Sequence, residues 1–171
     1  MVASEWESFY VIIGSSAAAL TGLQFVVIAL GAEAERIGGA PEMEAFATPT
    51  IVHFCAVLLI AAIVSVPRQT PATLAMCFAV EGLAGLVYTS IVASRFGRGM
   101  RYVPVLEDLI SHIILPFVAY TTLFVTGVSV YWHAVAALYI IAATALLLLL
   151  LGIHNAWDSA LYIAMSKRDP Q

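Results

Sequence analysis

A glutamate interrupts one of the most apolar stretches of the chain. Glu81 stands near the middle of a hydrophobic run from Ala72 to Ser94. In a bilayer, a carboxylate at that depth costs a few kcal/mol even on lenient scales, so it must face a bundle interior or water. Gly82 and Gly85 follow it, and small residues let a second helix or a ligand come close. Two kinds of chemistry fit. Glu81 could be a proton- or cation-binding group in a pathway, or a protonated side chain hydrogen-bonded across a helix interface that holds an oligomer together.

Histidines and carboxylates form the second candidate. Asp108 and His112 are four residues apart, as are His154 and Asp158. That spacing puts each pair on one helix face. If the two segments run antiparallel, both pairs reach the same side of a membrane, and His53 falls at the same level. Glu107 and Asn155 are adjacent to these pairs. Imidazole with carboxylate is the donor set of a zinc or iron site, which makes a divalent metal a conceivable cofactor for His53, Asp108, His112, His154 and Asp158. The same groups could relay protons at the mouth of a pathway, or simply cap wet helix ends. No tight motif such as His-Glu-x-x-His is present.

A third feature is a stripe at helical spacing: Asp108, His112, Ala119, Thr122, Thr126 and Ser129. Pro116 interrupts it. A proline inside a helix leaves the carbonyl four residues earlier without its N–H partner, here that of His112. In a membrane such a carbonyl must find water, a side chain or an ion. A kinked helix with a polar stripe could line a pore, or its small residues could pack on a neighbour.

Other signals read as packing or topology. Gly14, Ala18 and Gly22 recur every four residues, a spacing that permits tight helix contact within a chain or between subunits. Arg95, Arg98 and Arg101, with Gly97 and Gly99, could bind an anionic lipid head group. Cys55 and Cys77 lie in separate apolar runs and are expected to be free thiols. No nucleophile motif such as Gly-x-Ser-x-Gly occurs, so an enzyme is disfavoured.

The elements that position these groups follow from composition. Of 171 residues, 62% are hydrophobic and 11% charged, far from the roughly 25% charged residues of a soluble domain. A membrane-spanning helix needs about 20 mostly apolar residues. Five segments qualify: Phe9 to Gly31, Thr50 to Val66 between Pro49 and Pro67, Ala72 to Ser94, Leu106 to Val130, and Ala134 to Ile153. Residues 32–49 read as a polar loop. Residues 154–171 read as an amphipathic tail, either lying in the interface or extending the fifth helix. The acidic N-terminus lacks the positive region of a secretory signal, so the first run is expected to be a retained helix.

Orientation follows from arginine and lysine. Arg36, Arg95, Arg98, Arg101, Lys167 and Arg168 fall on one face, and Arg68 alone falls on the other. The richer face is expected to be cytoplasmic, with the N-terminus outside and Trp6, Tyr10, Tyr131 and Trp132 in an outer aromatic belt. With a net charge of −4 and no strongly basic stretch, nucleic acid is not an expected partner.

The expected architecture is an all-α, polytopic integral membrane protein of the cell (inner or plasma) membrane, one five-helix transmembrane bundle with its C-terminus in the cytoplasm. Five helices fill their own centre with side chains, so a transport role would imply a homo-oligomer. The leading functional expectation is a small channel or transporter for protons or cations, using Glu81, the stripe through Pro116, Thr122, Thr126 and Ser129, and the His/Asp cluster. The alternatives are a non-catalytic accessory subunit and a metal-dependent membrane enzyme.

Overall fold

The computed structural model describes residues 6–35, 41–95 and 106–166. The described residues are all-helical, and five helices are long and apolar enough to span a membrane. They are α1 (Glu7–Glu35), α2 (Pro41–Ser65), α3 (Pro71–Arg95), α4 (Leu106–Ser129) and α5 (Ala134–Ser166). At 1.5 Å per residue, each matches or exceeds the hydrocarbon thickness of about 30 Å, α2 only when its polar beginning is included.

Three boundaries differ from the sequence reading. Helix α1 continues to Glu35, and α2 begins at Pro41, so most of the stretch 32–49 is helical rather than looped. Pro49 lies inside α2 instead of bounding it. Its missing N–H costs only the bond to the Ala45 carbonyl, close to the helix start, where water can serve instead. Past Ile153 the chain stays in α5 as far as Ser166. As far as Ser166 the tail therefore extends the fifth helix, and no glycine or proline follows Gly152 within that stretch.

The link between α2 and α3 is tight. Arg68 takes a left-handed backbone conformation (φ 58°), and the Gln69 Nε2 donates to the Ile63 carbonyl at 2.8 Å. Thr70 caps α3, accepting the Thr73 N–H on its hydroxyl oxygen at 3.1 Å. Pro71 then occupies the first helical position, where an N–H would be unpaired anyway.

Helices α2, α4 and α5 form the centre. Helix α1 packs on α2 and α5, and α3 packs mainly on α4. Phe54, Ile60, Leu123, Ile141 and Leu148 are fully buried between them. Val11, Phe25, Met76, Val87 and Leu150 point outward, as lipid-facing residues should.

Small residues set the closest approaches. A Cβ at Gly82 would lie 2.5 Å from the Phe124 amide nitrogen, and one at Gly127 would lie 2.7 Å from that of Ala79. A Cβ at Gly85 would enter the Tyr120 ring, and one at Gly152 the Phe54 ring. Helices α3 and α4 thus run antiparallel in near backbone contact.

The expected stripe on α1 does not pack as a unit within the chain. Gly14 meets Ala61 of α2, but Ala18 is exposed and Gly22 has nothing within 4 Å. The face of α1 that packs is the one carrying Tyr10, Ile13, Ala17 and Gln24. Tyr10, one of the residues expected in the aromatic belt, turns into the bundle. It is buried at 1% exposure and its ring lies 5.1 Å from that of Phe9, whereas Tyr131 and Trp132 are exposed.

Candidate functional site

The fourth helix changes pitch where the chemistry begins. Leu106–Leu109 is α-helical, Ile110–Ile114 is a π turn, and Leu115–Ser129 is α-helical again. The Leu115 N–H donates to the Ile110 carbonyl, five residues back. Pro116 follows at once and has no N–H, so the ladder is interrupted there. The consequence expected at the His112 carbonyl is therefore spread over a whole π turn, a distortion frequent at functional sites.

That turn buries Ser111 and His112. The Ser111 hydroxyl donates to the Glu107 carbonyl at 3.0 Å. His112 Nδ1 lies 2.9 Å from the Ser111 oxygen and 3.2 Å from the Asp108 carbonyl. A carbonyl can only accept, and the serine hydrogen is already used, so Nδ1 carries the hydrogen. Nε2 is then the basic nitrogen of the neutral ring.

The cluster read from spacing assembles around this histidine. Asp108, Asp158 and His154 all lie within electrostatic reach of His112, and His112 lies within reach of His53. His154 Nε2 is 3.4 Å from Asp158 Oδ2 and 3.9 Å from Glu107 Oε1, with all three side chains substantially exposed. Helices α2, α4 and α5 thus bring these groups to one end of the bundle. Among the described residues, no three His, Cys, Asp or Glu side chains come together so as to hold a metal ion. The donors are strung out rather than gathered around a point.

From that end, the polar groups continue inward. His53 on α2 is 1% exposed, and its Nδ1 shares a hydrogen bond of 3.0 Å with the Tyr120 hydroxyl on α4. Its other nitrogen, Nε2, is buried with no hydrogen-bond partner. Tyr120 in turn lies within electrostatic reach of Glu81 and Tyr88 on α3. Glu81 is 8% exposed, and neither carboxyl oxygen has a hydrogen-bond partner. Thr89, two turns along α3, also buries a hydroxyl without a partner. Each such group costs about 1–3 kcal/mol relative to a satisfied one. Among the described residues such groups are spread over Tyr10, Gln24, Thr89 and Asn155 as well as His53 and Glu81; the last two stand in a file that runs His154, His112, His53, Tyr120, Glu81.

No protein family, curated protein or solved structure matches the chain. The site must therefore be read from its own chemistry.

Of the stripe residues, Pro116, Ala119 and Thr126 are buried, and Thr122 and Ser129 are half-buried. Thr126 sits beside Gly127, which touches Phe78 and Ala79, and so lies near the level of Glu81. The Ser129 hydroxyl donates to the Thr126 carbonyl at 2.9 Å. Arg95 is exposed at the end of α3, and Arg98 and Arg101 lie outside the described residues. Cys55 and Cys77 are free thiols.

Two buried polar residues, Tyr120 and Gln24, escape the sequence reading, and a third, Asn155, figures there only as a neighbour of the His/Asp pairs. Tyr120 looks like an ordinary aromatic in an apolar helix. Asn155 is 1% exposed with both amide atoms unpartnered, and Gln24 buries an unpartnered Nε2. For Asn155 and Gln24 the available signal was a carboxamide inside or beside an apolar run. For Tyr120 it was the glycine pair opposite, which needed a bulky partner.

Proposed function

We propose that the chain is a small channel or transporter for protons or cations. It would sit in the cell membrane with its N-terminus outside and its C-terminus in the cytoplasm, and work as a homo-oligomer. The observation that carries this reading is the His53–Tyr120 hydrogen bond. The bonded pair stands between an end cluster of imidazoles and carboxylates and a deep carboxyl group, with His112 within electrostatic reach of His53 and Glu81 within reach of Tyr120. Buried polar groups are normally satisfied by protein or ordered water, so the unpartnered His53 Nε2 and Glu81 carboxyl at two points of the file support a hydrated path. The cluster of His154, Asp158, Asp108 and His112 would be the cytoplasmic mouth. On α4, Thr122 would line the path between Tyr120 and Glu81, Thr126 would stand near the level of Glu81, and Ser129 would lie beyond it. The arginine-rich segment around Arg95 would face the anionic cytoplasmic leaflet.

The test is cation and proton flux in proteoliposomes, comparing the wild type with Glu81→Gln. Flux that disappears in the variant while the oligomeric state is kept supports the pathway. No flux in the wild type under any gradient overturns it and favours the accessory-subunit reading.

A further inference from the structure

We infer that the species carried by this file is the proton itself, and that Tyr120 is the residue that joins its two halves; this rests on the transport reading above. The ground is geometric. A cation other than the proton must be held by several donors at once: four for zinc, six to eight oxygens for calcium, and near-octahedral oxygens or waters for magnesium. Here the groups stand in series on different helices, and among the described residues no three His, Cys, Asp or Glu side chains gather to hold an ion. The α3–α4 contact next to Glu81 is close at its two glycines. The Gly82 backbone faces that of Phe124 so closely that not even a methyl group fits, and Gly85 lies against the Tyr120 ring. A proton needs neither a cage nor room. It needs groups that both accept and donate, spaced a hydrogen bond or one water apart.

His53 and Tyr120 meet that requirement. With the neutral ring carrying hydrogen on Nδ1, an arriving proton adds to Nε2, which is buried and has no hydrogen-bond partner. The imidazolium then passes its Nδ1 proton to the Tyr120 oxygen, 3.0 Å away. Tyr120 releases its own hydroxyl proton towards the Glu81 carboxylate. No hydrogen-bond donor lies within bonding distance of the Glu81 oxygens, so water carries the proton over the last gap. One proton has entered at Nε2 and one has protonated Glu81. Tyr120 is again a neutral phenol, and His53 is neutral with its hydrogen on Nε2. Reset requires the ring to return to the Nδ1–H form before the next transfer.

The experiment uses the full chain in proteoliposomes with an entrapped pH dye and a controlled membrane potential. External sodium, potassium, magnesium and zinc are exchanged in turn for a large organic cation. Wild-type flux should follow the proton gradient and be unchanged by the exchange. Tyr120→Phe keeps the ring that fills the space at Gly85 and removes only the hydroxyl; it should lower proton flux by about a hundredfold, the typical contribution of a positioned proton-transfer group. Flux that tracks a metal cation overturns the inference and leaves the transport reading standing. Full proton flux in Tyr120→Phe overturns the role of Tyr120. No flux of any ion in the wild type overturns both readings together. The ion-exchange arm needs no variant, so it decides the matter even if Tyr120→Phe fails to fold.

Discussion

The Tyr120 hydroxyl and His53 Nδ1 share a 3.0 Å hydrogen bond between residues 67 positions apart, with both rings buried. The bond ties α4 to α2 at the depth where the end cluster gives way to the apolar core. Tyr120→Phe would leave the His53 nitrogen buried and unpaired. The expected cost is about 1–3 kcal/mol, seen as a lower unfolding temperature in detergent with the helical signal intact. An unchanged transition would show that the bond contributes nothing to folding.

Glu81→Leu should do the opposite. An unpartnered buried carboxyl is a stability burden, and a leucine of similar size removes it. Unfolding should become harder by about 1–3 kcal/mol. If Glu81 instead pins α3 to a neighbour through hydrogen bonds, the same variant will unfold earlier.

Two glycines make a matched comparison. Gly85→Ala drives a methyl group into the Tyr120 ring, while Gly22→Ala meets nothing within 4 Å. Gly85→Ala should destabilise by about 1–3 kcal/mol, and Gly22→Ala should stay within about 0.5 kcal/mol of the wild type. Chemical unfolding of both variants side by side reads the difference. Equal behaviour would mean that the α3–α4 contact yields easily.

His154→Ala should barely affect folding. Its contacts at 3.4 and 3.9 Å are made with exposed partners, and such pairs contribute at most about 1 kcal/mol. A loss of flux without a loss of stability in this variant would mark His154 as part of the mouth rather than of the scaffold.

Much of the architecture is legible in the sequence because hydrocarbon imposes a length on every crossing segment. Most ends of the five runs carry a proline, a glycine or a charged residue, which mark where an apolar segment stops. Glu81 was visible for the same reason: a carboxylate in such a run stands out. The polar flanks 32–35 and 41–49 read as loop, yet they are helical, because hydropathy reports where an apolar run ends, not where a helix ends. Tyr120 was invisible for a different reason. Its role depends on α2 standing beside α4, and no spacing within one segment states which helices become neighbours. Asp108 with His112, and His154 with Asp158, could be paired from spacing because each pair shares a helix. That His53 joins them follows from packing of the whole bundle.

The π turn in α4 holds one residue more than the α-helix around it would use over the same rise. Removing a single residue from Ile110–Ile114 would leave four residues of ordinary pitch that sweep almost the same rotation as the five of the π turn. Glu107 and Asp108 would still face α5, and Tyr120 would keep its place. The turn therefore takes up slack: one helix carries an additional residue just ahead of Pro116 while both of its halves hold their bearing.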